Sequence, residues 1–241
     1  MSRASIVLFA FSTDPLATDI ELSAARFGVP SRDAIAGADV QTHARDEDPQ
    51  WFDELRTGGL RAIADGDLPD AGRLDTARYC HSIQVDLDDP PDLGHLQAAW
   101  AVAGWLVSRG CFAVLDAHAC RWLDQATVTA LVPRRPFGLD AEVRFMFENQ
   151  PTPGFGHAMH TRGMVKFARP DLICGVTPNE ARLLERVLRR LAQMSADGAV
   201  VTVGQRMRAD EQHIFRTVAY EPDVNAPQVN LNNEALLIVA A

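Results

Sequence analysis

The densest gathering of ionisable side chains in this 241-residue chain lies at 157–172. An otherwise apolar stretch there carries His157, His160, Arg162, Lys166, Arg169 and Asp171, and Lys166 is the only lysine beside 22 arginines. Extended backbone sends successive side chains to opposite faces. A strand over 159–168 therefore puts His160, Arg162, Met164 and Lys166 on one face, with Thr161, Gly163, Val165 and Phe167 on the other. A row of His160, Arg162 and Lys166, with Arg169 following, can clamp a phosphate or a carboxylate. The bland alternative is an ion-paired sheet face, which contributes little energy. His157 and His160 form H-x-x-H, a metal-ligating spacing on a helix. On a strand the two point apart, so the sequence predicts two separate histidines.

Asp116, His118 and Cys120 form a second cluster, spaced two apart directly after an apolar run. In extended backbone all three point the same way. A carboxylate, an imidazole and a thiolate together make a candidate metal site that needs a further ligand from elsewhere. Beyond these clusters the chain lacks G-x-S-x-G, H-E-x-x-H, a Walker loop and G-x-G-x-x-G, so no cofactor is expected. The arginine excess over lysine is what a GC-rich coding sequence produces, with retention of Lys166 for its own chemistry as the alternative.

Positioning these residues requires the surrounding elements. An apolar run at 6–11 predicts a buried first strand, which accounts for the N-terminus better than a signal peptide does. A short helix is expected over 17–27. Another is expected at about 49–64, with Trp51, Phe52, Leu55, Leu60 and Ile63 as its apolar side, weakened at Gly58-Gly59. Nine acids against three arginines between Asp46 and Asp75 read as a solvated face. Alternation at 77–88 predicts a half-buried strand with His81, Ile83, Val85 and Leu87 on one face. Asp92 can cap a helix ending at Gly110 that is apolar all round over 98–107, hence a central core helix. A buried strand at 111–115 completes a strand–helix–strand unit. A short helix after Asp124 ends at Pro133-Arg134-Arg135-Pro136.

In the second half, strands are expected at 141–148, 159–168 and 172–176, with a Pro/Gly turn at 151–156. Thr177, Pro178 and Glu180 form a capping box for a helix to about Ser195. Its apolar face is Leu183, Leu184, Val187, Leu188, Leu191 and Met194. Strands at 199–203, 213–220 and 234–239 follow, with a loop at 221–233. This order predicts an α+β fold with a mixed, largely antiparallel sheet and helices packed on one side. It reads as one domain with sub-halves 1–140 and 141–241, ferredoxin-like and sharing one extended sheet.

Thr161, Gly163, Met164, Phe167, Pro170, Asp171 and Leu172, followed by a capped helix and by Asp197, Gly198, Thr202, Val203 and Gly204, form a further motif. It resembles a bacterial family with a C-terminal domain of unknown function that carries a Thr-x-Gly-(Leu/Met)-x-x-Phe-Gly-x-Pro-(Glu/Asp)-Leu run. The likeness is best over 157–204, and Ala168 stands where the family has Gly. It implies a cytoplasmic α+β protein and supplies no catalytic residues.

Hydrophobic residues make up 47% and charged residues 23% of the chain, ordinary for a globular protein. The net charge of −9 argues against nucleic acid and anionic lipid as partners. No segment has the apolar length of a membrane span. Four widely spaced cysteines without C-x-x-C predict reduced thiols. The sequence thus predicts a binding or regulatory protein, of immunity type, with a protein partner. An enzyme using the His160/Arg162/Lys166 face is the rival.

Overall fold

The computed structural model describes residues 3–17, 19–23, 27–28, 37–131, 138–226 and 229–241. Of the helix expected over 17–27, residues 17 and 19–23 are not helical and 18 and 24–26 lie outside the described residues, as does the whole 133–136 stop. The chain is α+β and forms two compact units, Met1–Phe137 and Gly138–Ala241, each built on its own sheet. The single shared sheet expected from the sequence is therefore replaced by two.

The first unit has five strands in the order β2-β3-β1-β4-β5. They are β1 (Arg3–Ser12), β2 (Ala38–Ala44), β3 (Tyr79–Asp88), β4 (Ala113–Asp116) and β5 (Arg121–Asp124). Every neighbouring pair is antiparallel. Strands β3 and β4 flank β1 and are joined by helix α3 (Gly94–Arg109), so the predicted strand–helix–strand unit is a split βαβ. Helix α3 is buried throughout 94–107, as its polar-face-free sequence requires, and packs on β1 and β3. Asp92 accepts a hydrogen bond from the Gly94 amide, and Gly110, at φ 129°, ends the helix.

The helix expected at 49–64 is two helices, α1 (Pro49–Glu54) and α2 (Gly58–Asp67), broken at Gly58, which sits at φ 58°. Phe11, Phe52, Leu74, Cys80 and Trp122 form one core cluster there, and the Trp122 indole donates to the Leu60 carbonyl. The acidic stretch is not only a solvated face. Asp53 and Asp75 bind the nearly buried Arg56, and Arg61 bridges Asp65 and Asp75. Helix α4 (Gln125–Leu131) follows β5.

The second unit has six strands in the order β6-β7-β8-β11-β10-β9. They are β6 (Arg144–Phe147), β7 (His157–Arg162), β8 (Asp171–Val176), β9 (Arg206–Arg208), β10 (Ile214–Ala219) and β11 (Ala235–Ala240), and a short helical turn, α5 (Leu139–Glu142), precedes them. Only β8 and β11 are parallel neighbours, and the chain passes between them through helix α6 (Ala181–Ala196) and the β9–β10 hairpin. Helix α6 packs over β7 and β8. The polar gap at 221–233 includes a single helical turn, α7 (Pro222–Asn225).

Two local expectations change. The strand foreseen at 199–203 does not form, and the hairpin strand is β9. Nor does Thr177 cap α6: its hydroxyl donates to the Glu180 carboxylate at 2.6 Å, and the helix starts at Ala181. The small residue Gly175 is dictated by contact, because a Cβ there would lie 2.0 Å from the Phe155 carbonyl oxygen.

Candidate functional site

The conspicuous 157–172 segment is a strand, a tight turn and a second strand. Strand β7 stops at Arg162. Gly163, at φ 105°, and Ala168, at φ 55°, bracket a 3-10 turn, Met164–Phe167, that reverses the chain into β8. The predicted strand to 168 is thereby corrected, and with it the row of His160, Arg162 and Lys166 on one face. Two-residue spacing aligns side chains only while the backbone stays extended.

The turn is pinned by a buried polar knot. Asp171 accepts hydrogen bonds from the Thr161 hydroxyl at 2.8 Å, the Met164 amide at 3.3 Å and the Asn233 side chain at 3.1 Å. The Thr161 oxygen in turn accepts from the Leu172 amide at 2.9 Å. Burial pushes the Asp171 carboxyl up to about 6, against the opposing pull of those donors. These contacts explain the Thr161, Gly163, Asp171 and Leu172 spacing as turn architecture.

Each of the four proposed anion ligands has partners of its own within the protein. Lys166 is wholly buried and donates to Glu142, itself wholly buried, at 2.7 Å. His160 is buried, with Nε2 3.0 Å from a Glu148 carboxylate oxygen and Nδ1 3.3 Å from the Thr161 carbonyl. Burial holds its pKa below the usual imidazole value, outweighing the opposite effect of Glu148. Arg162 donates to the Asn230 carbonyl at 2.6 Å. Arg169 donates to the carbonyls of Ala168, Gly198 and Ala199, which ties the chain just beyond α6. As the strand reading requires, His157 stands apart from His160, stacked on Phe147 and bonded to the Glu148 carbonyl.

Asp116, His118 and Cys120 do not form the aligned trio either. Residues 117–120 are the turn between β4 and β5, so alternation fails there as well. Asp116 accepts from the Ala119 amide at 3.0 Å, as a turn carboxylate does, and Cys120 sits at φ 47° with its thiol toward the Ala117 carbonyl. His118 Nε2 lies 3.3 Å from the Ser5 hydroxyl. Among the described residues no three His, Cys, Asp or Glu side chains gather as metal ligands do. All four cysteines are free, and burial pushes the Cys111 and Cys174 thiols up to about 12.

What the sequence reading missed is a groove of about 510 Å³ in the second unit, between α6 and β9. Leu183, Val187, Leu191 and Met194 line it from the helix, and Met207 and Phe215 from the β9–β10 hairpin. Met194 is 41% exposed although it belongs to the predicted apolar face. Arg186 and Arg190 line the helix side, and Arg206 and Arg208 line the strand side. All four arginines are exposed, and among the described residues no carboxylate pairs with any of them. Neighbouring Arg189, by contrast, binds Glu185 and Asp140 and lies over the Phe145 ring. The alternation of arginine and apolar residues was legible at 183–194. The short strand that closes the groove was not.

Among the described residues no helix is long and apolar enough to cross a membrane. No family model, curated protein or solved structure matches the chain.

Proposed function

We propose that this protein acts by binding another protein, as a regulatory or immunity-type partner, rather than by catalysis. The groove of the second unit carries this reading. It combines an apolar floor with a rim of exposed arginines, and aromatic, Met and Arg side chains are those enriched at protein interfaces. The titratable side chains of 157–172 support it from the other side, since Lys166, Asp171 and Arg169 hold the fold together. The likeness to a bacterial family without assigned chemistry agrees with it.

The test is affinity capture by the full chain from a native lysate. A partner retained in proportion to the bait is expected. Nothing above background would overturn the reading.

A further inference from the structure

We infer that the α6–β9 groove receives an acidic segment of a partner protein, one that carries apolar side chains between its carboxylates. This deepens the binding reading and rests on it. Three observations point to that occupant.

The first is charge. Arg186, Arg190, Arg206 and Arg208 line one groove together with a single acid, Asp210, which is held by His213, and among the described residues none of the four arginines is paired with a carboxylate. Elsewhere Arg56, Arg61 and Arg189 each hold at least one carboxylate. Planar guanidinium groups are suited to bidentate contact with carboxylates.

The second is crowding. In the β9–β10 pair, Arg206 stands directly opposite Arg216, and both are exposed. Like charges directly opposite on neighbouring strands destabilise a sheet, so the β9–β10 pair offers Arg206 no compensating carboxylate from across the strand.

The third is the floor. Met194 and Met207 bring flexible thioether side chains to the lining beside Leu183 and Val187, a surface that adapts to apolar side chains. A nucleic acid would gain little from such a floor, and the net charge of −9 would repel its strand beyond the groove. A peptide alternating Glu or Asp with Leu satisfies rim and floor together.

The experiment is fluorescence anisotropy of the full chain with three labelled probes: a Glu/Leu peptide, the same peptide with Lys for Glu, and an oligouridine RNA. Binding is expected for the Glu/Leu peptide alone and is expected to weaken as salt rises. Arg186→Glu with Arg190→Glu is expected to weaken it about tenfold or more, with unchanged melting. Arg206→Ser with Arg208→Ser supplies a second, independent pair should the first disturb α6.

Equal binding by both double variants, or preference for the RNA, would overturn the inference. So would concentration-dependent self-association abolished by the same variants, because the occupant would then be a second copy. If the Glu/Leu peptide fails to bind while lysate capture succeeds, the groove assignment falls and the binding reading stands. If both fail, both fall.

Discussion

Two helices of equal length behave oppositely. Helices α3 and α6 each run for 16 residues. The first has no polar face and is buried from Gly94 to Val107. The second buries Leu184, Val187, Leu188 and Leu191 while leaving Met194, Arg186 and Arg190 at the surface. An all-apolar helix keeps no face for solvent, so its sequence speaks about packing alone. An amphipathic helix has a flank whose partner is not specified by its own packing, and that flank is where interaction can reside. The contrast has a direct energetic test. Trp100→Ala in α3 removes a side chain only 1% exposed and is expected to cost about 3–5 kcal/mol. Met194→Ala in α6 should cost under about 0.5 kcal/mol. Urea unfolding measures both, and similar costs would break the distinction between the helices.

The buried pair of the second unit gives an effect nearly as large. Replacing Lys166 with Ala removes the ammonium that binds the buried Glu142 carboxylate at 2.7 Å, an expected loss of about 3–5 kcal/mol. Replacing both partners, as Lys166→Met with Glu142→Leu, should recover most of that loss, because neither charge of the pair remains. Urea unfolding of the single and double variants checks this. A Lys166→Ala variant of undiminished stability would return Lys166 to the catalytic reading.

The two units also differ in their response to acid. In the first, His81 is buried between the Thr42 and Ser12 hydroxyls, and burial lowers its pKa to about 4. A depressed imidazole favours the neutral form in the folded state, so its contribution is full above pH 6.5 and is lost as pH falls toward 4. In the second, Asp171 is raised from 3.8 to about 6. The folded state then holds the proton more tightly than the unfolded chain does. Its contribution is greatest below pH 3.8 and declines as pH rises through about 6, by on the order of 3 kcal/mol. Comparing the pH dependence of unfolding in wild type with that in Asp171→Asn and His81→Gln isolates each group. The difference from Asp171→Asn should move against the wild type as pH rises, and the difference from His81→Gln as pH falls. Matching signs would refute the contrast.

Legibility followed periodicity. The core helix 94–109, strand β3 and the inner face of α6 could be read because each repeats over many residues. The short strands β2, β5 and β9 could not, since their pairing is fixed by neighbours distant in sequence. Both candidate clusters lose their expected alignment for one physical reason. Gly163 and the 117–120 turn end the extended backbone on which alternation depends, so Lys166 and Cys120 leave the faces assigned to them. The chemistry-bearing residues were visible, but their partners Glu142, Glu148 and Asn233 come from separate elements. The arginine groove likewise needs a helix and a hairpin brought together.

The smallest effect bears most directly on function. In the first unit Arg56 and Arg61 are neutralised, Arg56 by Asp53 and Asp75 and Arg61 by Asp65 and Asp75. In the second, Arg206 opposes Arg216 with no carboxylate paired to either among the described residues. Arg206→Thr is therefore expected to raise stability by about 0.5 kcal/mol, since it removes a like-charge opposition from a solvent-facing pair. A cycle with Arg216→Thr separates that pairwise repulsion from the intrinsic preference of Thr for strands. The coupling should shrink as salt is added, because both groups are exposed. A stabilising substitution that also weakens peptide binding is the signature of a surface arranged for a ligand at the expense of the free fold. A destabilising one would mean that Arg206 already serves the hairpin and that the rim is no more specialised than the paired arginines of the first unit.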